Sequence, residues 1–167
     1  MKEAKKILLI VLVSIILALV IDLCIGYLRV AMAEDADGQA WVLCHPESHV
    51  CLRANPRKSS PDFGSAVCGT HLMTDSSEKN GYLHVVDLAS ERESGWISLR
   101  YVIFDEPSEV NAVFRIRSDG RVACRRYISG KIIRWLNDGD SVTVYWMSDS
   151  WAVTDNGYIR SEFLEEQ

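Results

Sequence analysis

Between Arg115 and Arg134 the chain carries seven basic residues and a single acid, Asp119. Arg115, Arg117, Arg121 and Arg125 fall at alternate positions of two extended segments. Guanidinium groups grip carboxylates and phosphates through paired, charge-assisted hydrogen bonds, so these four are candidate contacts to an anionic partner. Trp96, Tyr101, Trp151 and Tyr158 are candidate ligand-binding aromatics. Their flat faces suit stacking against a sugar or peptide, and the same residues would otherwise serve as core or rim packing. His45, His49 and Cys51, with Cys68, His71 and His84, include the types that zinc takes in fours. Their spacing fits no compact zinc motif, so neither a metal nor a cofactor is expected. Catalysis is not expected either. No segment presents a nucleophile beside a base, no Gly-rich phosphate loop is present, and the paired carboxylates sit in loops and tails.

The arginines are positioned by two alternating stretches, Ala112 to Arg117 and Arg121 to Arg125, around Ser118-Asp119-Gly120. A two-residue Asp-Gly turn would mix apolar and charged side chains on one face. A three-residue loop with Gly120 left-handed pairs Phe114 with Cys124 and Ile116 with Val122, and sends all four arginines to the other face. Register follows the face that must be buried, so the second arrangement is expected. It places Arg117 opposite Arg121, a mildly destabilising juxtaposition. The acidic tail, the acidic linker or an anionic ligand would relieve it. The same alternation predicts Val42, Cys44, Val50 and Leu52 inward, with Leu43, His45, His49 and Cys51 outward. Cys44 and Cys51 then lie on opposite faces, which disfavours a bond between them. Cys44 and Cys124 are expected as small core residues. Trp146 goes out of phase with Val142 and Val144 only if a bulge intervenes.

A closing pattern occurs twice, as Gly95-Trp96-Ile97-Ser98-Leu99-Arg100-Tyr101-Val102 and as Gly157-Tyr158-Ile159-Arg160-Ser161-Glu162-Phe163-Leu164, offset by 62 (157 − 95). The texture from Trp41 onward is short apolar runs between turn residues, which reads as all-β. Two similar small units follow, residues 41–104 and 112–166, joined by an acidic linker over 105–111. Ahead of them, Lys2, Lys5 and Lys6 precede an apolar run from Ile7 to Ile21 that extends through Asp22 to Leu28. This segment, within residues 1–33, is expected to be one helix: either an uncleaved membrane anchor or an export signal cut after Ala33. The anchor would leave the N-terminus inside and the remainder outside. Beyond Ala33 there are 14 Lys and Arg against 21 Asp and Glu, a net charge of −7 that argues against nucleic acid as a partner. The five cysteines are not the dense framework of a disulfide-stapled secreted domain.

With these residues in view, both units resemble bacterial SH3 domains. The family opens with an aliphatic-Arg pair and a following Pro, here Leu52-Arg53-Ala54-Asn55-Pro56, and Cys124-Arg125 without the Pro. Its middle section is similar to Ile132-Ile133-Arg134-Trp135-Leu136-Asn137-Asp138-Gly139 with Val142 and Val144, and more loosely to Val67-Cys68-Gly69 with Leu72. Trp151-Ala152-Val153 and the closing Gly-aromatic-Ile complete the likeness. The resemblance implies an all-β fold of two tandem small SH3-like barrels, each of five to seven strands, with single helical turns near Leu99–Tyr101 and Ser161–Phe163. It implies binding and no chemistry: a cell-envelope targeting protein whose partner is peptidoglycan or a cell-surface protein. The alternative is an accessory or scaffold subunit of an envelope complex. For the arginine face, the corresponding anions would be teichoic acid, peptidoglycan carboxylates or lipid headgroups.

Overall fold

A computed structural model describes residues 38–87 and 94–166 of the 167-residue chain. The expected leader helix and, as far as Asp37, the polar, acidic stretch from Glu34 to Ala40 expected as a tether lie outside the described residues. Among the described residues no helix is long and apolar enough to cross a membrane.

The alternating segments form strands because each offers one apolar face to bury. β1 (Gly38–Val42), β2 (Val50–Arg53), β3 (Asp62–Ala66), β4 (His71–Lys79), β5 (Tyr82–Asp87), β6 (Gly95–Ser98) and β7 (Val102–Ile103) make one antiparallel sheet, ordered β3-β2-β6-β5-β4-β1-β7. β8 (Ser108–Ile116), β9 (Val122–Arg125), β10 (Ile132–Leu136), β11 (Ser141–Met147), β12 (Trp151–Thr154), β13 (Gly157–Arg160) and β14 (Leu164–Glu166) make the second, ordered β10-β9-β13-β12-β11-β8-β14. Adding seven to each label of the first order reproduces the second, so the repeat seen in the closing motif extends to the whole strand topology. The class is all-β: two seven-stranded antiparallel sheets, with short 3-10 turns at Leu99–Tyr101 and Ser161–Phe163 before the last strand of each. β1 begins at Gly38 and β8 at Ser108, so strand structure claims the end of the tether and part of the expected 105–111 linker.

In the second sheet, buried residues from six strands, Phe114 through Ile159, gather in one cluster, and Leu164 of the seventh packs against it. A seven-stranded sheet can bring all its strands to one core only by curling over it. The inward assignments agree with this packing: Val42, Cys44, Val50, Leu52, Phe114, Ile116, Val122 and Cys124 are all buried.

Three expectations need correction. First, β8 and β9 do not form a hairpin. Phe114 pairs with Val142 of β11 and Glu166 of β14, while Val122 and Cys124 pair with Leu136 and Arg134 of β10. Alternation specifies which face a residue takes but not its neighbour. Here the nine residues of β8 have both edges occupied, by β11 and β14. Second, Gly120 is not among the positive-φ glycines, which are Gly69, Gly81, Gly139 and Gly157. The loop before β9 is instead held by Ser118 N–H donating to the Asp138 carboxylate (3.1 Å) and Gly120 N–H donating to Ser118 Oγ (3.2 Å). Third, Leu43, expected outward, is fully buried. It joins the core cluster of the first sheet, which Trp151, Val153 and Tyr158 of the second sheet help to cover.

That coverage follows from β12 and β13. All four residues of β12 are buried. Ala152 belongs to the core of the second sheet, whereas Trp151, Val153 and Tyr158 join the cluster of the first, with Leu43, Cys44, Val102 and Ile103. A strand buried on both faces is a shared wall. Each of the three large side chains contributes roughly 1.5–3 kcal/mol by leaving water. A bulge between Val144 and Trp146 turns Trp146 out of its own sheet's phase. Its ring lies over Gly69, where an added Cβ would come within 2.6 Å of it.

Candidate functional site: a basic groove between the sheets

The seam is fastened by polar contacts at its margins. Tyr158 O–H donates to the Leu43 carbonyl (3.1 Å), and Leu43 N–H donates to the Tyr101 carbonyl (2.8 Å). Ile128 N–H donates to the Arg100 carbonyl (3.1 Å). Asp105 accepts from the Ser150 N–H and hydroxyl, both at 2.8 Å. Burial opposes ionisation of Asp105, but the hydrogen bonds from Ser148 and Ser150 outweigh it and hold the carboxyl below the ordinary carboxylate range. Burial, and secondarily the neighbouring Cys44 and Tyr101, push the Tyr158 hydroxyl well up. Tyr158 is therefore a neutral donor at physiological pH.

Along this seam runs a groove of about 1320 Å³. Arg53, Arg57, Lys58, Arg100, Arg126 and Arg160 line it, against one carboxylate, Asp105, which is already occupied by Ser150. Arg53, in β2, donates to the Ser60 carbonyl (2.7 Å). The Arg100 guanidinium lies 4.7 Å above the Tyr127 ring and that of Arg160 lies 4.4 Å above Trp151. These contacts orient the two cations without neutralising them. Arg57, Lys58 and Arg126 are exposed. Among the described residues none of the six forms an ion pair. Tyr82, Tyr101 and Phe104 line the same groove, with Trp151 and Tyr158 at its floor. Aromatic faces and unneutralised cations thus share one concave surface, an arrangement that suits a ligand carrying negative groups on an extended body.

The expected site residues distribute unevenly over this geometry. Tyr101, Trp151 and Tyr158 line the groove, the last two largely buried in the seam. Trp96 lies elsewhere on the first sheet, its ring 4.8 Å from that of His84, which bonds Asp75 at 2.8 Å. The four arginines of the second sheet do not line the groove. Arg117 forms an ion pair with Glu165, whose backbone sits opposite Arg115 in β8. The expected Arg117–Arg121 juxtaposition is absent, because β9 lies elsewhere in the sheet. Arg121 stacks over Trp135 at 5.3 Å, and Arg125 donates to the Gly130 carbonyl (2.8 Å). Local patterning missed Arg57, Lys58 and Arg160, since the fold collects them from distant segments; Arg126 belongs to the basic run from Arg115 to Arg134 but lines the groove. One usable signal was the unbroken apolar run Trp151-Ala152-Val153, which marks a strand covered on both sides.

Among the described residues no three His, Cys, Asp or Glu side chains are gathered as a metal-ligand set. Cys124 is buried, its thiol donates to the Asn156 carbonyl (2.8 Å), and burial pushes its pKa up to about 11.

No family model matches the chain, and no curated protein matches it. Two solved structures from Trichomonas vaginalis are similar to it. NlpC1 is 15% identical with a TM-score of 0.33, over 78% of this chain and 46% of its own. NlpC2 is 14% identical with a TM-score of 0.33, over 78% and 48%. The chain spans about half the length of the solved structures it matches.

Proposed function

We propose that residues 41–166 are a pair of SH3-like barrels forming a non-catalytic binding module of the bacterial cell envelope. The module holds an anionic envelope ligand in the groove between the barrels. Peptidoglycan, whose stem peptides carry carboxylates beside an extended sugar backbone, is the ligand of first choice. The observation that carries this reading is the charge of the groove: six Arg and Lys against one occupied carboxylate, in a chain of net charge −5. Such a concentration against the overall sign costs self-repulsion and is best relieved by an anion. The SH3-like reading is supported by the duplicated strand order and by the 3-10 turn before each final strand. The basic apolar leader supports a location outside the cytoplasmic membrane, tethered or secreted.

The test is co-sedimentation with purified peptidoglycan sacculi. The expected result is binding that weakens with salt and falls about 100-fold in the triple variant Arg57→Ser, Lys58→Ser, Arg126→Ser, at roughly 1 kcal/mol for each cation. Binding of the triple variant equal to that of the unmodified protein would remove the reading.

The alternative, an accessory or scaffold subunit recognising a protein, rests on the edge strand β10, where Ile133 and Trp135 are about half exposed. Absence of sacculus binding by the unmodified protein, together with capture of an envelope protein that is lost in Trp135→Ser, would favour it.

A further inference from the structure

Of the four described cysteines, two are neighbours. Cys44 follows β1, and Cys68 lies in the turn between β3 and β4. Cys44 N–H donates to Cys68 Sγ at 3.3 Å, and both side chains are buried. The backbone holds this proximity from both sides: Val42 N–H donates to the Thr70 carbonyl (2.9 Å) and Gly69 N–H to the Val42 carbonyl (2.8 Å). The other two cysteines are committed elsewhere. Cys51 faces outward on β2 beside Asp62, and the Cys124 thiol donates to the Asn156 carbonyl in the second core.

We propose that Cys44 and Cys68 are a redox pair that closes to a disulfide when the protein meets a disulfide oxidant. An N–H to Sγ contact of this length puts the Cys68 sulfur beside the Cys44 side chain. Such proximity is the precondition for a disulfide. The two thiols are also unequal. The Cys44 thiol donates to the Ser48 carbonyl (3.6 Å) while its backbone N–H points at Cys68 Sγ, and contact with Cys44 holds the Cys68 thiol below its ordinary range despite burial. The same contact, together with burial, pushes Cys44 up. One of the two attacks as its thiolate and the other resolves. The attacking sulfur displaces one half of the oxidant's disulfide as a thiolate and forms a mixed disulfide. The second cysteine then loses its proton and attacks that sulfur, displacing the second half. Two cysteine thiols are oxidised, one external disulfide is reduced to two thiols, and the two protons pass to the leaving thiolates. Compartments outside the cytoplasmic membrane supply such oxidants.

The bond would close the chain from residue 44 to residue 68, a segment that carries Arg53, Arg57 and Lys58, three of the six groove cations. It would also fix Cys44 beside Leu43, whose carbonyl receives the Tyr158 hydroxyl at the seam. This inference does not depend on what the groove binds.

The experiment equilibrates the folded full-length chain across a series of glutathione redox buffers. Thiols are then blocked under acid quench, and the mass and disulfide-linked peptides are read. The expected species has lost two hydrogen atoms and keeps three of its five thiols. Its linked peptides contain Cys44 and Cys68, and its melting temperature rises by on the order of 10 °C over the reduced form. Cys51→Ala keeps the link, whereas Cys68→Ala loses both the link and the rise. Five thiols persisting under the most oxidising buffer, or a link joining any other pair, would overturn the proposal.

Discussion

Two basic regions of this chain differ in how they come about and in what they leave unsatisfied. The first, Arg115 to Arg134, is contiguous in sequence. The fold answers its arginines internally: Arg117 with Glu165, Arg121 on Trp135, Arg125 on the Gly130 carbonyl. The second exists only after folding and takes one residue, Arg126, from the first. Arg53, Arg57 and Lys58 come from β2 and the loop after it, Arg100 from a 3-10 turn, Arg126 from the segment after β9, and Arg160 from the end of β13. No carboxylate pairs with these six among the described residues. A run of like charge in a sequence also selects its own neutralising partners. Of the charges gathered around the concave seam, Arg53 lies opposite Asp62 across β2 and β3, and the other five are the ones left for a ligand.

The difference depends on the seam, so the most damaging change is one that removes its packing. Trp151→Ala deletes a buried indole shared by the two sheets. It is expected to cost about 3–5 kcal/mol, on the order of 10 °C or more in the melting temperature by calorimetry. Groove binding should fall with it, while the Arg117–Glu165 pair, remote from the seam, should persist.

A smaller loss is expected from Tyr158→Phe. The ring stays in the seam, but the Leu43 carbonyl loses its hydroxyl donor. The cost is about 1–3 kcal/mol, measured by chemical denaturation. A change within error would mean that the tyrosine contributes through its ring alone.

Acid sharpens the comparison through Asp105. Its folded pKa lies below the ordinary carboxylate value, because hydrogen bonds from Ser148 and Ser150 outweigh burial. Its stabilisation is therefore fully present above about pH 4, the unfolded value. It is lost as pH falls through the depressed folded value. Asp105→Asn should flatten this part of the pH–stability profile and leave the profile near pH 7 unchanged in slope.

The smallest effect is expected at Arg117. Its pair with Glu165 is solvent-exposed, and such pairs contribute little. Arg117→Ser should leave the melting temperature and sacculus binding unchanged within error.

Much of the fold was legible in the residues. The inward positions Val42, Val50, Leu52, Phe114, Ile116 and Val122 follow from period-2 alternation, and all are buried. The repeated Gly-aromatic-Ile pointed to a duplication that the strand order extends to all seven strands. Strand partners were not legible, because alternation is identical whichever neighbour a strand takes; β8 and β9 read as a hairpin and are separated in the sheet. Nor was the seam legible at Leu43, which alternation sends outward and which is buried in a cluster that both sheets supply. The groove was least legible of all. Its cations come from four separate stretches of the sequence, 53–58, 100, 126 and 160, and only the fold brings them to one surface.

The most direct measurement of the central claim is a salt titration of sacculus binding for three proteins side by side. They are the unmodified chain, the groove variant Arg57→Ser/Lys58→Ser/Arg126→Ser, and the face variant Arg115→Ser/Arg117→Ser/Arg121→Ser. The account predicts that the face variant keeps the affinity and salt dependence of the unmodified chain, whereas the groove variant loses most of both. Equal behaviour of the two variants, or loss confined to the face variant, would contradict it.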